Sequence, residues 1–310
     1  MAVGPYGALL ESVRGVRWPA RRPVQGGAPG AHLARTRGVA SEFAEYRPYR
    51  QGDDPRRLDW KLLARSDRAF IRLAPDRAVL GTLIAVDASA SMAFPVESAR
   101  ESGAAVGSAR ESGAAVGRRS KWYAAKEVAV ACAAVAHAGG DPVGLTIAAE
   151  HGLARLSPRT RRGVVAEIAR TLDATVPAGS GSLANAFVGA PARVMLITDC
   201  LGALDALRRV ARAHVAAGGE VHVVHVVSRA ELDPPRTAVL ATDPEDPSTA
   251  RPLTDGTRAA YRAAFDAWRG EVARGWRDDG VAYNEIVDDE AVDVLVRRLV
   301  AVPGATGVRA

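Results

Sequence analysis

Short apolar runs that end abruptly in polar residues recur along the chain and alternate with segments of helical periodicity. The first run, 83–86, leads into Asp87, Ser89 and Ser91, and a later run, 193–198, leads into Asp199. Such runs are typical of buried strands in a parallel sheet. Further strands are predicted at 143–148, 221–227 and 281–286, and helices at 121–138, 162–172, 203–217, 257–278 and 290–300. The alternation predicts an α/β fold with a doubly wound, mostly parallel sheet at residues 79–303.

The part before this sheet, residues 1–78, is predicted to be a small extension that contains β-structure. Its segment 41–61 mixes acids and arginines around the turn signal Gly52-Asp53-Asp54-Pro55, and a strand is predicted at 69–73. The neighbouring arginines favour ion pairs for Asp53, Asp54 and Asp59 over metal binding or acid–base catalysis. The segment is therefore interpreted as a structural clamp, with its aromatic residues packed inward.

A perfect decapeptide duplication follows the first strand. Residues 98–107 are repeated without change as 108–117. The unit is too short for a solenoid repeat, and its Gly- and Ser-rich composition favours a mobile surface insertion at 95–119. A neutral duplication in a tolerant loop and a lid over the adjacent strand end are both compatible with this pattern.

Composition narrows the function classes. The 310 residues carry a net charge of +6, but no basic stripe is interleaved with aromatic residues, so nucleic-acid binding is not expected. No apolar segment approaches the length of a membrane span, and the N-terminus lacks the pattern of a signal peptide. Two cysteines form no disulfide framework, and a reduced, cytoplasmic protein is expected.

His222 and His225 are three residues apart on a predicted strand, so their side chains face opposite sides of the sheet and cannot share a metal ion.

The candidate chemistry lies at the strand ends. Asp87, Ser89 and Ser91 place oxygen atoms on one side of extended backbone, and Asp199 ends a second strand whose carboxyl end can lie beside the first. Two carboxylates and two hydroxyls suit a hard cation such as Mg²⁺ or Mn²⁺. No adjacent residue is an evident nucleophile or general base, so the pattern indicates adhesion through an open metal position rather than catalysis.

These residues resemble the metal-ion-dependent adhesion site of von Willebrand factor type A domains, and the upstream segment resembles the signature of the bacterial "domain of unknown function 58" family. The signature is carried by Arg47, Tyr49, Gly52, Asp53, Asp54, Arg56, Asp59 and Trp60. The resemblance implies a von Willebrand A-like fold, with Asp87, Ser89, Ser91 and Asp199 as metal ligands. It departs at the middle loop, where Gly181 stands in place of a threonine ligand, so that Ser180 or Ser182 substitutes or the ligand is absent.

The resemblance also implies a function. Family members are associated with MoxR-type AAA+ ATPases, so a non-enzymatic adaptor in chaperone-like assembly or maturation is expected, with an acidic residue of a partner completing the metal site. One alternative is the same fold with a degenerate, metal-free site that binds partners by its surface. The other is a phosphatase of the haloacid dehalogenase type, which is disfavoured because Ser89 occupies the position where that chemistry needs a second acid.

Overall fold

A computed structural model describes residues 4–21, 29–38, 45–51, 53, 55, 58–95, 119–236, 238, 240–242, 248 and 250–301. The decapeptide repeats and the signature residues Gly52, Asp54 and Arg56 lie outside these ranges. No helix in the described ranges is long and apolar enough to cross a membrane.

The elements follow the alternation that the sequence predicts. The strands are β1 (Pro29–Gly38), β2 (Glu45–Pro48), β3 (Phe70–Ala78), β4 (Thr82–Asp87), β5 (Val143–Ala149), β6 (Gly152–Arg159), β7 (Arg193–Thr198), β8 (Glu220–Val227), β9 (Leu240–Thr242), β10 (Ala250–Pro252) and β11 (Ala282–Val287). The helices are α1 (Gly7–Ser12), α2 (Trp60–Ser66), α3 (Lys121–Ala138), α4 (Val164–Asp173), α5 (Leu204–Ala216), α6 (Arg229–Leu232), α7 (Asp255–Asp278) and α8 (Val292–Val300). Short 3₁₀ helices span Gly4–Tyr6, Ala90–Ala93 and Leu183–Phe187.

A six-stranded sheet in the order β11-β8-β7-β4-β5-β6 forms the centre of the fold. All pairs are parallel except β5 with β6, which form an antiparallel hairpin. Strands β4, β7 and β8 are buried along their whole length, as continuous apolar runs require when both sheet faces are covered. The mixed α/β architecture with a mostly parallel sheet is thereby confirmed.

Alternate residues of β4 belong to two separate hydrophobic clusters, one on each face of the sheet. Ile84 and Val86 pack with α1, α3, α4 and α8, whereas Ala85 packs with α5 and α7 on the opposite face. Helix α3 is buried on nearly every side, and its many alanines allow close approach to the sheet. The helix begins at Ser120, whose hydroxyl accepts a hydrogen bond from the Tyr123 N–H.

The N-terminal residues pack against this same core. Tyr6, Val13 and Trp18 belong to the cluster around α3. The guanidinium of Arg193, at the start of β7, lies 4.4 Å from the centre of the Trp18 ring and donates to the Pro19 carbonyl. Its charge is balanced by Glu220 at 3.2 Å and Asp141 at 3.7 Å. The start of the chain is thus fastened to the amino-terminal edge of the sheet, opposite the edge that carries Asp87.

A second sheet, in the order β1-β3-β2, lies in the predicted N-terminal extension. In the signature segment Arg47 pairs with Asp53 at 2.8 Å, and the Tyr49 hydroxyl donates to the Asp53 carbonyl. Asp59 caps α2 by accepting from the backbone N–H groups of residues 61 and 62. The expectation that the aromatics pack inward is wrong for Trp60 and Tyr46, which are 63% and 38% exposed. Trp60 lies in the first turn of α2, and the Tyr46 hydroxyl donates to Asp59.

Candidate functional site

Asp87 ends β4 at the carboxyl edge of the sheet and is 5% exposed. One carboxylate oxygen accepts from the Ser89 N–H at 2.9 Å, and the other accepts from the Thr198 hydroxyl at 2.8 Å. The second contact crosses from β7, which is the parallel neighbour of β4. The two strand ends therefore meet as the sequence predicts.

The two serines of the motif are buried beside this carboxylate. Ser89 is 4% and Ser91 is 2% exposed, and their hydroxyl oxygens lie 3.0 Å apart. Ser89 precedes the 3₁₀ helix Ala90–Ala93, and the Ala90 N–H donates to the Gly179 carbonyl of the middle loop. The turn thus fixes two hydroxyls next to an acid and joins them to the loop 179–182.

Burial and charge repulsion act together on Asp87. Burial first, and the nearby charge of Asp199 second, raise the pKa of this carboxyl to about 6, although hydrogen bonds from Ser89 and Thr198 act to lower it. The two donors to the carboxylate, the Ser89 N–H and the Thr198 hydroxyl, are neutral groups. Within the described residues, the negative charge of Asp87 thus has hydrogen bonds but no ion pair.

Asp199 has a cationic partner that sequence reasoning missed. The ammonium group of Lys121 lies 2.8 Å from Asp199 Oδ2 and 2.7 Å from Glu231 Oε1, and the lysine side chain is 1% exposed. Burial alone would lower the pKa of Lys121, but the two carboxylates outweigh it and raise that pKa above its ordinary value. A buried ammonium therefore lies at the strand ends as part of the fold.

Glu231 is itself held in place. Its other carboxylate oxygen accepts from the Ser228 N–H at 2.7 Å, which completes a capping box at the start of α6. The Ser228 hydroxyl donates to Asp288, just after β11. A chain of polar contacts thus runs along the carboxyl edge from Asp199 on β7 to the end of β11.

One compositional signal points to Lys121. The chain has three lysines, Lys61, Lys121 and Lys126, among 41 basic residues. Arginine serves nearly everywhere else, and Lys121 opens an apolar helix directly after the cap Ser120. The compact ammonium has three N–H donors that rotate, so it can donate to Asp199 and to Glu231 at once.

The middle loop does not supply a ligand at Gly181. A Cβ atom on this residue would lie 2.7 Å from the Ala148 carbonyl carbon and 2.9 Å from the Ala149 nitrogen. The loop backbone therefore packs directly against the end of β5, and a threonine has no room. Ser180 and Ser182 are both exposed, and Ser182 lines a small cavity of about 20 Å³ that also borders Asp87.

The donor set fits a divalent cation in part. Asp87, Ser89 and Ser91 combine one carboxylate that lacks an ion pair with two adjacent hydroxyls, which are hard oxygen donors. Asp199 is engaged by Lys121, so its Oδ2 atom is not open to a metal while that pair holds. No group of three or more His, Cys, Asp or Glu side chains with metal-binding geometry occurs among the described residues.

The chain matches a family model. The model described as "Protein of unknown function DUF58" matches residues 45–109 and 104–271, which include the signature segment, the Asp87 turn and Asp199. The chain belongs to this family.

Curated relatives and solved structures extend the comparison. The uncharacterized proteins Rv1480 of Mycobacterium tuberculosis and Mb1516 of Mycobacterium bovis are each 27% identical in an alignment of 288 residues that covers 88% of this chain and 82% of theirs. Among solved structures, the conserved hypothetical protein BatB from Bacteroides thetaiotaomicron is similar with a TM-score of 0.42 at 15% identity, over 71% of this chain and 97% of that one. An aerotolerance-related membrane protein from Bacteroides fragilis gives a TM-score of 0.41 at 15% identity, over 71% and 96%.

Proposed function

We propose that this protein is a non-enzymatic protein-interaction module of von Willebrand A type, with an adhesion-type divalent-metal site at Asp87, Ser89 and Ser91. The observation that carries the proposal is a buried carboxylate without an ion pair, held beside two buried hydroxyls at the carboxyl edge of a mostly parallel sheet. This edge is where open α/β sheets place their ligands.

The residues around the site favour binding over turnover. Ser89 and Ser91 hydrogen-bond to each other, and the His225 ring is directed to Tyr283. A serine nucleophile would need a base beside it, and no such arrangement occurs at the strand ends of the described residues. A bound Mg²⁺ or Mn²⁺ would supply an electrophilic position for an acidic residue of a partner protein.

The partner that the family resemblance favours is a MoxR-type AAA+ ATPase. In that role the module would present its sheet edge to a target protein while the ATPase acts on it, as an adaptor in assembly or maturation. The proposal for the partner rests on the resemblance alone, because fold does not determine function.

A second candidate function keeps protein binding but needs no metal. Two observations favour it: Lys121 already places a positive charge at Asp199, and Gly181 leaves no space for the side-chain ligand of the middle loop. In this case the Lys121–Asp199–Glu231 group is a structural core element, and partners bind the surrounding surface.

Calorimetric titration with Mg²⁺ and Mn²⁺ separates the two candidates. The adhesion-site proposal expects binding by the wild type, loss of binding in Asp87→Ala with the circular-dichroism spectrum preserved, and at least partial retention in Ser180→Ala, whose hydroxyl is exposed. Absence of binding by the folded wild type would overturn the metal site and leave the metal-free module.

Partner capture tests the functional class. With the purified full-length protein as bait, an AAA+ ATPase captured in Mg²⁺ and lost in chelator supports the metal-dependent adaptor. Capture that is equal in both supports the metal-free module. Multiple turnover of a generic phosphoester by pure protein would overturn both.

A further inference from the structure

The outer edge of the central sheet carries a cleft that is remote from Asp87. Strand β11 is last in the strand order, with α7 against one face of the sheet and α8 against the other. The cleft has a volume of about 540 Å³, which is in the range of protein ligand sites. The cleft is lined by residues of α7, β11, α8 and the turn before α8. They include Arg269, Arg277, Tyr283, Glu285, Glu290 and Arg298.

The backbone of β11 presents hydrogen-bonding groups to this cleft. The Asp288 N–H donates to the Val227 carbonyl of β8. The backbone N–H and C=O groups of the even-numbered residues of β11 therefore point towards β8. Arg298 donates to the carbonyl of Glu285 from the opposite side. Because backbone groups alternate between the two edges of a strand, Tyr283 and Glu285 direct theirs outward, away from β8. An outer edge of this kind is a template for an added strand.

The charges in the cleft are divided unevenly. Arg269 is held by Glu285 and lies 2.9 Å from Asp266, so the negative charges on this wall are already paired. Arg277 stacks over the Tyr283 ring at 5.3 Å, and Arg298 donates to a neutral carbonyl. Neither of these two arginines has a carboxylate partner among the described residues.

Each arginine is on a different wall of the cleft. Arg277 is on α7 and Arg298 is on α8, so they flank the strand edge from both sides. Arg298 can keep its bond to Glu285 and still offer other N–H groups, because a guanidinium has five. Glu290 also lines the cleft and opposes a negative ligand.

We propose that this cleft binds an extended acidic peptide segment of a partner protein, which adds to β11 as a further strand. Its backbone pairs with the N–H and C=O groups of Tyr283 and with the Glu285 N–H, because Arg298 already occupies the Glu285 carbonyl. Acidic side chains on its two faces meet Arg277 and Arg298. Neighbouring residues of a strand point to opposite faces, so adjacent acidic residues reach both walls. The site needs no metal and is independent of the strand-end cluster.

The test uses fluorescence anisotropy with a labelled eight-residue peptide that contains valines and two adjacent glutamates. The first comparison peptide has glutamine in place of both glutamates, and the second carries backbone N-methyl groups at alternate residues. We expect the acidic peptide to bind and both comparison peptides to bind at least about tenfold more weakly, because one lacks the charges and the other lacks strand donors.

Protein variants locate the binding. The double variant Arg277→Gln/Arg298→Gln is expected to lower the affinity for the acidic peptide by about tenfold or more. The variant Glu290→Gln is expected to raise that affinity by about two- to threefold. Arg274→Gln is the matched control, since Arg274 is an exposed arginine of α7 that does not line the cleft. Its binding should equal that of the wild type.

The proposal is overturned if the acidic peptide does not bind at millimolar concentration, or if the N-methylated peptide binds as tightly as the unmodified one. It is also overturned if Arg274→Gln weakens binding as much as the double arginine variant does. Full competition by equimolar inorganic phosphate would overturn it too, because that result would indicate a small-anion site. Unchanged peptide binding in chelator and in Asp87→Ala supports it. These last two conditions also keep its failure distinct from failure of the metal-site proposal.

Discussion

At the scale of single residues, the two strand-end aspartates have opposite electrostatic situations. Asp87 is buried with neutral donors, whereas Asp199 is buried against the Lys121 ammonium. A buried carboxylate without an ion pair destabilises the fold when it is ionised. A buried carboxylate in an ion pair stabilises its partner, because removing it would leave the partner's charge buried and unpaired. The same residue type therefore has opposite effects on stability at two neighbouring strand ends, because charge interactions are strong in a buried site.

Asp87→Asn is expected to stabilise the metal-free protein at pH 8. The folded pKa of about 6 lies above the value of an unfolded chain, so this group favours folding below its unfolded pKa and loses that contribution as the pH rises through 6. Removing the ionised form should raise the free energy of unfolding by on the order of 1–3 kcal/mol. Urea denaturation in chelator measures it.

Asp199→Asn is the matched variant, with the opposite sign expected. It leaves the Lys121 ammonium with Glu231 alone in a buried position, and breaking a buried ion pair costs on the order of 3–5 kcal/mol. Stabilisation by both variants, or by neither, would contradict the distinction between the two aspartates.

At the scale of elements, the loop 179–182 and the end of β5 are packed backbone against backbone. The Ala178 N–H donates to the Ala88 carbonyl, and the Ala90 N–H donates to Gly179, so the loop is fastened to the motif turn. Gly181 then fits against Ala148 because it has no side chain. This close approach explains why the loop carries glycine where the resemblance expects threonine.

Gly181→Thr is expected to destabilise the protein rather than to restore a metal ligand. The new Cβ would overlap the backbone of Ala148, and forced overpacking costs on the order of 1–3 kcal/mol. Ser182→Thr, at the next and exposed position, should stay within about 0.5 kcal/mol of the wild type. Thermal melts of both variants measure the difference, and a neutral Gly181→Thr variant with a gain in Mg²⁺ affinity would refute this packing argument.

At the scale of the whole molecule, the sheet has a polar network at each end. At the carboxyl edge lie Asp87, Lys121 and Asp199. At the amino edge Arg193 pairs with Glu220 and stacks on Trp18, which belongs to the N-terminal segment. His222 of β8 lies against Trp18, with ring centres 5.1 Å apart, and is fully buried. A buried imidazole is thus part of the contact between the N-terminal residues and the sheet.

Stability is expected to fall as the pH drops from 6.5 towards 4. Burial lowers the pKa of His222 and of His225 to about 4 in each case, so the unfolded chain binds more protons in this interval. Each histidine contributes stability that is complete above pH 6.5, and its loss amounts to on the order of 3 kcal/mol near pH 4. Titration of Asp87 acts in the opposite direction over this interval, but it is one group against two.

Urea denaturation as a function of pH checks this dependence. His222→Leu should flatten the curve between pH 4 and 6.5, even if the variant is less stable overall. His151→Gln, at an exposed position, should leave the slope unchanged. An identical slope in His222→Leu would show that the buried imidazole is not the titrating group.

The sequence by itself determined the alternation of strands and helices along the chain, the mostly parallel sheet, and the meeting of the strand ends at Asp87 and Asp199. It could do so because short apolar runs that end in polar turns are typical of strands covered on both faces, and parallel strands bring their carboxyl ends together. Local chemistry also explains the start of α3, where the Ser120 hydroxyl accepts from the Tyr123 N–H.

Only the tertiary structure decided which charges these residues meet. Lys121 lies 78 residues from Asp199 and 110 from Glu231, so no local pattern joins them. The exclusion of a side chain at Gly181, the exposure of Trp60 and the uneven pairing of arginines beside β11 likewise depend on which backbones pack together. Local sequence fixes the direction of a side chain along its element, but the charge and space around it are set by segments distant in the chain.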